Sequence, residues 1–398
     1  MGYVKKMKRF VRVMLFHMLN CIYTIIYPIN EKKILFLSDV RTVMGGNLKS
    51  VYDYLEGKDY ERVIIFKADR RERRGWKQKL QLVYELATSR YIVLDDFSTA
   101  IAQMKVRKGQ DVVQLWHGPG AFKKFGWSRY DTGEKKKGAF HDIMQKYLPW
   151  GHRNYTKAIV SGEGISWCFA EAFNMDKSHV KATGFPRMDV FFDSTYVEQK
   201  KSEFYREYPE LQHKKIVLFA PTYRGVRVPE AFYDFSKLDL GKIYEELHEE
   251  YVFMVKWHPA LYNNIDRGVI EGPDFEQYKD FYVDFSKYRD INDLLLVCDC
   301  LITDYSSVIF DYVLLDKPII YFVYDLAEYV GAGGRGLYFD FEEYVYGNVA
   351  MNSNELIQMI QKNELMMEKR KTFYDKFMGA CDGHATEKTC RWIFGEEQ

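Results

Sequence analysis

Residues 300–315 read CLITDYSSVIFDYVLL, where a short apolar run passes through polar residues into a second apolar-rich segment. The run at 300–303 has the length and composition of a strand that is buried on both faces, which is typical of parallel sheets. Ser306 or Ser307 can cap the helix that we predict over 306–315. The stretch therefore predicts a strand, a hydroxyl-rich turn and a helix, which is the repeating unit of α/β folds.

The same alternation extends outward through most of the chain. Strands are predicted at 33–40, 62–68, 91–95, 111–116 and 158–161, and in a second set at 216–220, 251–257, 281–285, 300–303 and 318–324. Helices are predicted between them at 47–56, 77–87, 241–249, 291–298 and 306–315. Two such sets predict the α/β class with two doubly wound, Rossmann-like domains. We place an N-terminal helix at 1–30, the domains at 31–200 and 201–385, and a C-terminal helix at 386–398, with the polar segment 191–214 as the connection.

Composition excludes several classes of protein. The 398 residues contain 57 Lys and Arg and 56 Asp and Glu, so neither a strongly basic nucleic-acid binder nor an acidic disordered chain is expected. Residues 1–160 hold 31 basic and 15 acidic residues, so the two halves carry opposite charge and are expected to meet different partners. Six scattered cysteines without a C-x-x-C pair indicate buried, reduced thiols.

The N-terminus combines basic residues with an apolar run over 10–27. At helical spacing, Lys5, Arg9, Arg12, His17, Asn20 and Thr24 share one arc. We predict an amphipathic helix that lies in the plane of an anionic membrane surface, with packing on the protein's own core and a true membrane span as the alternatives. The basic run KADRRERRGWKQK at 67–79 either extends this membrane-facing patch or is a solvated face.

Polar residues follow several predicted strands, where the ligands of α/β folds bind. His117 ends the strand that precedes QLWHGPG at 114–120, and an imidazole there is a candidate general base. Gly118 permits close approach of a ligand to the backbone. Lys123 and Lys124 follow, and they meet either phosphates or solvent. The alternative for His117 is a structural histidine.

A second group of candidates follows the strands of the C-terminal set. A histidine, His258, ends another strand, and Pro259 fixes its loop. The candidates for phosphate and donor binding are Thr222, Arg224, Lys256, Ser306, Ser307, Asp311 and Arg335. Ser306 and Ser307 would form an anion site at a helix N-terminus, and Asp311 would accept hydrogen bonds from ligand hydroxyls. Ordinary capping and loop roles are the alternatives.

The absence of several known motifs argues against particular classes of enzyme and bound cofactor. The sequence has no G-x-G-x-x-G after a first strand and no P-loop, which argues against nicotinamide dehydrogenases and ordinary NTPases. It also has no D-x-D triplet and no histidine pair at metal spacing. We therefore expect neither a cofactor nor a tightly bound metal.

The ordered motifs resemble the CDP-glycerol or CDP-ribitol dependent glycerophosphotransferases of teichoic acid synthesis. The resemblance spans roughly residues 30–390 and rests on Trp116-His117-Gly118, Lys123-Lys124, TGFPRMD at 183–189, APTYR at 220–224, KWHP at 256–259, ITDYSSVIFDY at 302–312, Lys317-Pro318, Asp325, Tyr329 and Arg335-Gly336. The family often reads His-Gly-Thr-Pro where this chain has His117-Gly118-Pro119-Gly120, and this departure concerns the acceptor. With only a short leader, the chain resembles a single-module transferase of the primase type.

The resemblance implies a GT-B fold and a peripheral enzyme on the cytoplasmic face of the cell membrane. Such an enzyme transfers a polyol-phosphate from CDP-glycerol or CDP-ribitol to a hydroxyl of a lipid-linked saccharide or polyol-phosphate acceptor and releases CMP. His117 and His258 are the implied catalytic pair, with interchangeable roles. A GT-B glycosyltransferase that uses a nucleotide sugar and a non-catalytic membrane-bound scaffold are the alternatives, because a fold alone does not choose a chemistry.

Overall fold

The computed structural model describes residues 2–67, 74–129, 151–225, 228–330 and 336–395. They form two compact units, the first made of residues 1–189 and 379–398 and the second of residues 190–378. Each unit contains one six-stranded sheet in which all strands run parallel. The α/β class with two doubly wound sheets is therefore confirmed.

The first unit begins with a long helix and then alternates strands and helices. Its elements are α1 (Gly2–Ile26), β1 (Asn30–Leu37), α2 (Gly46–Tyr54), β2 (Glu61–Ile65), α3 (Trp76–Thr88), β3 (Ser89–Leu94), α4 (Thr99–Gln103), β4 (Asp111–Gln114), β5 (Lys157–Val160), α5 (Ser166–Phe173) and β6 (Val180–Ala182). The sheet order is β2-β1-β3-β4-β5-β6. The central strands are buried because apolar side chains cover both of their faces, as the continuous apolar runs predicted.

The second unit repeats the pattern. Its elements are α6 (Ser194–Glu207), β7 (Lys215–Phe219), α7 (Leu240–Leu247), β8 (Tyr251–Val255), α8 (Pro259–Asp266), β9 (Tyr282–Asp284), α9 (Ile291–Val297), β10 (Cys300–Thr303), α10 (Val308–Tyr312), β11 (Ile319–Phe322), α11 (Leu326–Val330), β12 (Asn348–Ala350), α12 (Ser353–Lys362) and α13 (Met367–Phe377). The sheet order is β12-β11-β10-β7-β8-β9. The last helix, α14 (Ala385–Phe394), belongs to the first unit.

All ten predicted strands are present, and the sequence missed only the two edge strands β6 and β12 among those described. Each of these has three residues, one of which is polar, so neither contains a continuous apolar run of strand length. The units divide after Asp189 rather than after residue 200. The segment 191–214 is not a bare connection, because it contains α6, a surface helix of the second unit in which only Phe204 is fully buried. A surface helix with so few buried residues has the same polar composition as a linker, so the sequence pattern does not distinguish the two.

The C-terminal segment returns to the first unit through the TGFPRMD motif. The Asp189 carboxylate accepts hydrogen bonds from the backbone N–H groups of Ala385 (2.9 Å) and Thr386 (2.8 Å), and so caps the start of α14. Gly184 has φ +85°, and a Cβ there would lie 2.5 Å from the carbonyl oxygen of Ala380. The motif therefore has a structural function, which is to seat the C-terminal helix on the first sheet.

Helix α1 packs with one side on the first unit, against α3 and α4. Asn20 is fully buried and accepts a 2.8 Å hydrogen bond from the Lys105 N–H, and Nδ1 of His17 lies 2.8 Å from the Gln103 carbonyl oxygen. Part of the polar arc therefore faces the protein, as the alternative of packing on the protein's own core requires. The opposite side carries an exposed apolar stripe at positions 7, 11, 14, 18, 22 and 25. No helix in the described part of the chain has the length and hydropathy that a bilayer-spanning segment needs.

All six cysteines are free thiols and five of them are buried, as the sequence predicted.

Candidate functional site

In each sheet, one pair of neighbouring strands marks the point where the chain reverses its direction of travel across the sheet. In the first unit this point lies at β1 and β3, and in the second at β7 and β10. Loops diverge there at the carboxyl ends of the strands and leave a crevice that can hold a ligand. The predicted candidates that the structure describes follow β4 in the first unit, next to its switch point, and β7, β8 and β10 in the second.

His117 follows β4 on a turn whose backbone is unusual. Trp116 adopts φ +55°, a left-handed conformation that is rare for a bulky residue. The side-chain amide of Asn47, in α2, donates hydrogen bonds to the carbonyl oxygens of Trp116 (2.9 Å) and Leu115 (3.2 Å). Asn47 Oδ1 accepts a bond from the Arg187 N–H (3.0 Å). This buried amide holds the strained turn in place, as is common for strained backbone at functional sites.

A carboxylate lies behind the His117 ring. Nδ1 of His117 is 3.4 Å from Oδ2 of Asp96, which follows β3, and the His117 side chain is 51% exposed. Burial raises the pKa of Asp96 above its ordinary value, and the neighbouring His117 charge opposes that shift. Asp96 Oδ1 accepts a 2.6 Å bond from the Phe97 N–H, which fixes the carboxylate. The result is an exposed imidazole with a carboxylate on one nitrogen, the arrangement of a general base and its orienting group.

A cluster of aromatic side chains packs against the Trp116 ring of the same turn. The Trp116 ring contacts Phe125 in a stacked pair (4.9 Å) and His152 edge-on (5.3 Å). Burial lowers the pKa of His152 to about 4, and the neighbouring His117 charge acts in the same direction. His152 lies 3.0 Å from the Tyr155 hydroxyl. His152 is therefore a neutral core side chain, and no sequence pattern distinguishes it from the other histidines.

The remaining acceptor-loop candidates lie in the same unit. A Cβ built on Gly118 meets no atom within 4 Å, so the space above this residue is open. Lys123 and Lys124 are both half-buried.

In the second unit, the guanidinium of Arg224 is enclosed by two carboxylates. Its Nε and Nη2 donate to Asp325 (2.5 and 2.9 Å), and its Nη1 donates to Asp304 (2.8 Å) and to the Thr222 carbonyl oxygen (2.6 Å). The side chain is 7% exposed. Burial alone lowers the pKa of Arg224, but the two carboxylates raise it above its ordinary value. Four of the five N–H donors are thus engaged within the protein.

Tyrosine rings surround this ion cluster. The Arg224 guanidinium lies 5.0–5.4 Å from the ring centroids of Tyr233, Tyr305, Tyr324 and Tyr329. Tyr305 stacks on Tyr329 at 3.7 Å, and its hydroxyl donates to Asp325 (3.0 Å). Cation–π attraction and hydrogen bonds therefore fix the loops after β7, β10 and β11 to one another.

The loop after β8 carries the second histidine. Nδ1 of His258 accepts a 3.1 Å hydrogen bond from the Ala260 N–H, and so caps α8. This bond assigns the proton of the neutral ring to Nε2, which makes Nε2 a donor. The ring is exposed and contacts Tyr223 at 4.7 Å. Lys256 instead turns to the next loop, where Nζ donates to the carbonyl oxygens of Tyr288 (2.6 Å) and Phe285 (3.3 Å), and burial lowers its pKa.

The other donor-side candidates lie around the same switch point. The backbone N–H of Thr222 donates to Asp304 (2.7 Å). Ser306 accepts from the Val308 N–H (3.4 Å), and Ser307 precedes α10 without a side-chain cap. The helix runs only over Val308–Tyr312, shorter than predicted, so its dipole adds less than expected to an anion site. Asp311 is buried. Arg335 lies outside the described residues.

Four residues important to this geometry were missing from the predicted site. Asp304 and Asp325 belonged to the family motifs but had no assigned role, and Asn47 and Asp96 carried no motif at all. Asp96, Asp304 and Asp325 closely follow β3, β10 and β11, so position at a strand end was the signal that could have found them. Asn47 lies within α2 and carried no such signal. Among the described residues, no group of three or more His, Cys, Asp or Glu side chains could hold a metal ion.

Comparisons with known proteins agree with the motifs. Residues 20–395 match the family model described as CDP-Glycerol:Poly(glycerophosphate) glycerophosphotransferase. The teichoic acid poly(ribitol-phosphate) polymerase of Bacillus spizizenii is 39% identical over 99% of this chain and 62% of that protein. The teichoic acid ribitol-phosphate primase of the same organism is 32% identical over 92% of both chains. This chain thus spans less than two thirds of the polymerase.

The fold also matches a solved structure. The wall teichoic acid polymerase TagF aligns with a TM-score of 0.70 at 22% identity, over 99% of this chain and 97% of the other. This likeness confirms the GT-B fold. On the sequence matches, the chain belongs to the CDP-glycerol:poly(glycerophosphate) glycerophosphotransferase family.

Proposed function

We propose that this protein transfers a polyol-phosphate from a CDP-polyol to a hydroxyl of a lipid-linked teichoic-acid-type acceptor. The acceptor oxygen forms a bond to the β-phosphorus while the bond from that phosphorus to CMP breaks. The hydroxyl proton passes to His117, and CMP leaves. In this proposal, positioning and charge stabilisation by the protein's own residues supply the rate of the step.

The observation that carries the proposal is the His117 turn. His117 is exposed, Asp96 lies 3.4 Å from its Nδ1, and Asn47 holds the preceding backbone. This leaves Nε2 as the nitrogen that receives a proton, because Nδ1 faces the carboxylate. Gly118 and its open surroundings give the acceptor chain room to approach.

The second unit supports the donor half of the reaction. Nε2–H of His258 is a suitable donor to a phosphate oxygen, because Nδ1 is occupied by the helix cap. The hydroxyls of Thr222, Ser306 and Ser307 donate hydrogen bonds to the pyrophosphate oxygens of the donor. Arg224 acts mainly by positioning these loops, since Asp304 and Asp325 already engage its guanidinium.

We further propose CDP-ribitol as the preferred donor. The ribitol-phosphate polymerases and primase among the relatives are 32–39% identical to this chain. The glycerol-phosphate enzymes are 28–33% identical. A lipid-linked acceptor also fits a peripheral protein at the cytoplasmic face of the membrane, with the exposed apolar stripe of α1 in the lipid interface.

The test measures CMP release and the mass of the product with a lipid-linked acceptor. Parallel reactions contain CDP-ribitol, CDP-glycerol and a panel of UDP- and GDP-sugars. We expect CMP from CDP-ribitol, a lower kcat/KM with CDP-glycerol, and a product heavier by whole polyol-phosphate units. Turnover of a nucleotide sugar would overturn the proposal. Failure to release CMP from both CDP-ribitol and CDP-glycerol would overturn it as well.

A matched pair of variants separates the base from general damage. His117→Gln is expected to lose about 10²–10⁴-fold in kcat. His213→Gln changes an exposed histidine elsewhere and is expected to keep full activity. Equal activity of the two variants would remove His117 from the mechanism.

A further inference from the structure

The first unit contains a cavity of about 530 Å³ between α1, α3 and α4, away from the His117 turn. Its wall is largely apolar, with Val13, Phe16 and Leu19 contributed by α1 and Leu80 and Val83 by α3. Transfer of a hydrocarbon chain of several carbons from a bilayer to this apolar wall would cost little free energy, because both environments exclude water.

Cations converge on the same cavity from three elements. Arg12 comes from α1, Lys67 and Arg74 from the loop after β2, and Lys79 from α3. The one acidic lining residue is Asp39, which already pairs with Arg74 (2.5 Å) and accepts from the Ser98 hydroxyl (2.8 Å). In the described part of the chain, no carboxylate pairs with Arg12, Lys67 or Lys79. The described lining residues thus carry a net formal charge of about +3.

One polar atom of the lining also lacks a partner. Nε of Arg74 is buried and makes no hydrogen bond within the described residues. A buried donor without an acceptor costs about 1–3 kcal/mol, so an anionic oxygen near this position would be stabilised.

The cavity adjoins the apolar stripe of α1. Leu15 lines the cavity and is 49% exposed, and it lies next to Met14 and one helical turn from Met18 of the stripe. A molecule whose apolar tail lies in a membrane on which α1 rests could therefore enter from the side without crossing water.

We infer that this cavity binds the diphosphate end and the adjoining hydrocarbon chain of a lipid diphosphate. Three unpaired cations match the two to three charges of a diphosphate better than the single charge of a phospholipid phosphate, and the apolar wall matches the chain. This inference rests on the proposed function, for which it identifies where the protein holds the lipid end of the acceptor. The growing end of the acceptor is then left to reach His117.

The test is equilibrium binding of a fluorescent farnesyl diphosphate to the full chain, measured by anisotropy below the micelle concentration of the probe. We expect Lys79→Gln and Arg12→Gln each to weaken binding about tenfold. Lys77→Gln removes the same charge from the same helix α3 but lies outside the cavity lining, and it is expected to bind like the native protein. Equal weakening by Lys77→Gln, or no weakening by Lys79→Gln, would overturn the inference.

Competition identifies the source of the anion. Unlabelled farnesyl diphosphate should displace the probe at concentrations at least tenfold below inorganic diphosphate. Displacement by inorganic diphosphate, or by vesicles of phosphatidylglycerol, at the same concentration as farnesyl diphosphate would overturn the inference in favour of a general anion or phospholipid site.

A kinetic ratio separates this inference from the proposed function. Lys79→Gln should lower kcat/KM for a lipid-linked acceptor relative to that for an acceptor lacking the lipid and its diphosphate, about tenfold in the ratio. An unchanged ratio contradicts the lipid site alone. Absence of CMP release by the native protein with either acceptor contradicts the proposed function, while the binding result still decides the lipid site.

Discussion

The Asn47 side-chain amide donates a 2.9 Å hydrogen bond to the carbonyl oxygen of Trp116, whose left-handed backbone immediately precedes His117. Asn47 lies in the first turn of α2 and Trp116 follows β4, so one buried side chain links the start of this helix to the end of that strand. The same amide accepts from the Arg187 N–H, within the TGFPRMD motif that seats the C-terminal helix. The position of the candidate base therefore depends on a residue that touches no substrate.

Asn47→Ala is expected to misplace His117. Two buried carbonyl groups lose their donor, which should lower the free energy of unfolding by about 1–3 kcal/mol. A shift of the imidazole by about 1 Å should lower kcat about 10²-fold. KM for the CDP-polyol should not change, because the donor candidates lie in the other unit. Steady-state kinetics and urea unfolding measure both effects.

The control for Asn47→Ala is Asn352→Ala. Asn352 caps α12 by accepting from the Glu355 N–H (3.0 Å), so its loss should cost about 1 kcal/mol without a change in kcat. If both variants lose stability and neither loses kcat, Asn47 is merely structural.

Asp96→Asn is expected to raise the stability of the protein at pH 7 and to lower its kcat. The folded pKa of Asp96 is raised, so the native state binds the proton more tightly than the unfolded chain and stability falls as pH rises above about 4. Replacement by Asn removes this cost, and Tm at pH 7 should rise while the difference from the native protein disappears below about pH 4. Loss of the carboxylate behind His117 should lower kcat at least about tenfold.

Thermal melts between pH 3.5 and 8 and the kcat of Asp96→Asn provide the measurement. Asp59→Asn, which removes an exposed carboxylate paired with Lys32, serves as the control and should change neither quantity by much. A variant that is less stable at pH 7 and fully active would contradict the assignment of Asp96.

His152 is expected to make the protein sensitive to acid. Its folded pKa of about 4 lies below the ordinary value of about 6.5, so the unfolded chain takes up a proton first as pH falls. Stability should be fully present above about pH 6.5 and decline towards pH 4, by about 3 kcal/mol at most. Urea unfolding of His152→Gln should show a flatter pH dependence over this window, whereas exposed His213→Gln should follow the native curve.

Arg224→Lys is expected to abolish tight binding of the donor although it keeps the positive charge. An ammonium cannot reproduce the bidentate contact with Asp325 together with the bond to Asp304, so the loops after β7, β10 and β11 lose their common anchor. Calorimetric titration with CDP-ribitol should show at least about a tenfold weaker Kd. Arg267→Lys, an exposed arginine of the same unit, should bind normally.

Full donor affinity in Arg224→Lys would show that charge alone suffices at this position. It would restore the simpler prediction, made from the sequence, that Arg224 meets phosphate directly.

The sequence predicted the strands and the residues that follow them, because burial on both faces requires continuous apolar runs and a strand end is visible where such a run stops. His117, Thr222, His258 and Ser306 were found in this way. The α/β class and the family follow from the same local signals.

Only the tertiary structure decided the partners of these residues. Arg224 and Asp304 are 80 positions apart in the chain, and His117 meets Asp96 across two strands. The sequence likewise indicated that α1 is amphipathic, but the folded unit decided which side packs inward. That side includes buried Asn20, which accepts from the Lys105 N–H, and His17, whose Nδ1 lies 2.8 Å from the Gln103 carbonyl oxygen. Local patterns record whether a side chain is buried, whereas hydrogen bonds and ion pairs depend on which distant residues the topology brings within reach.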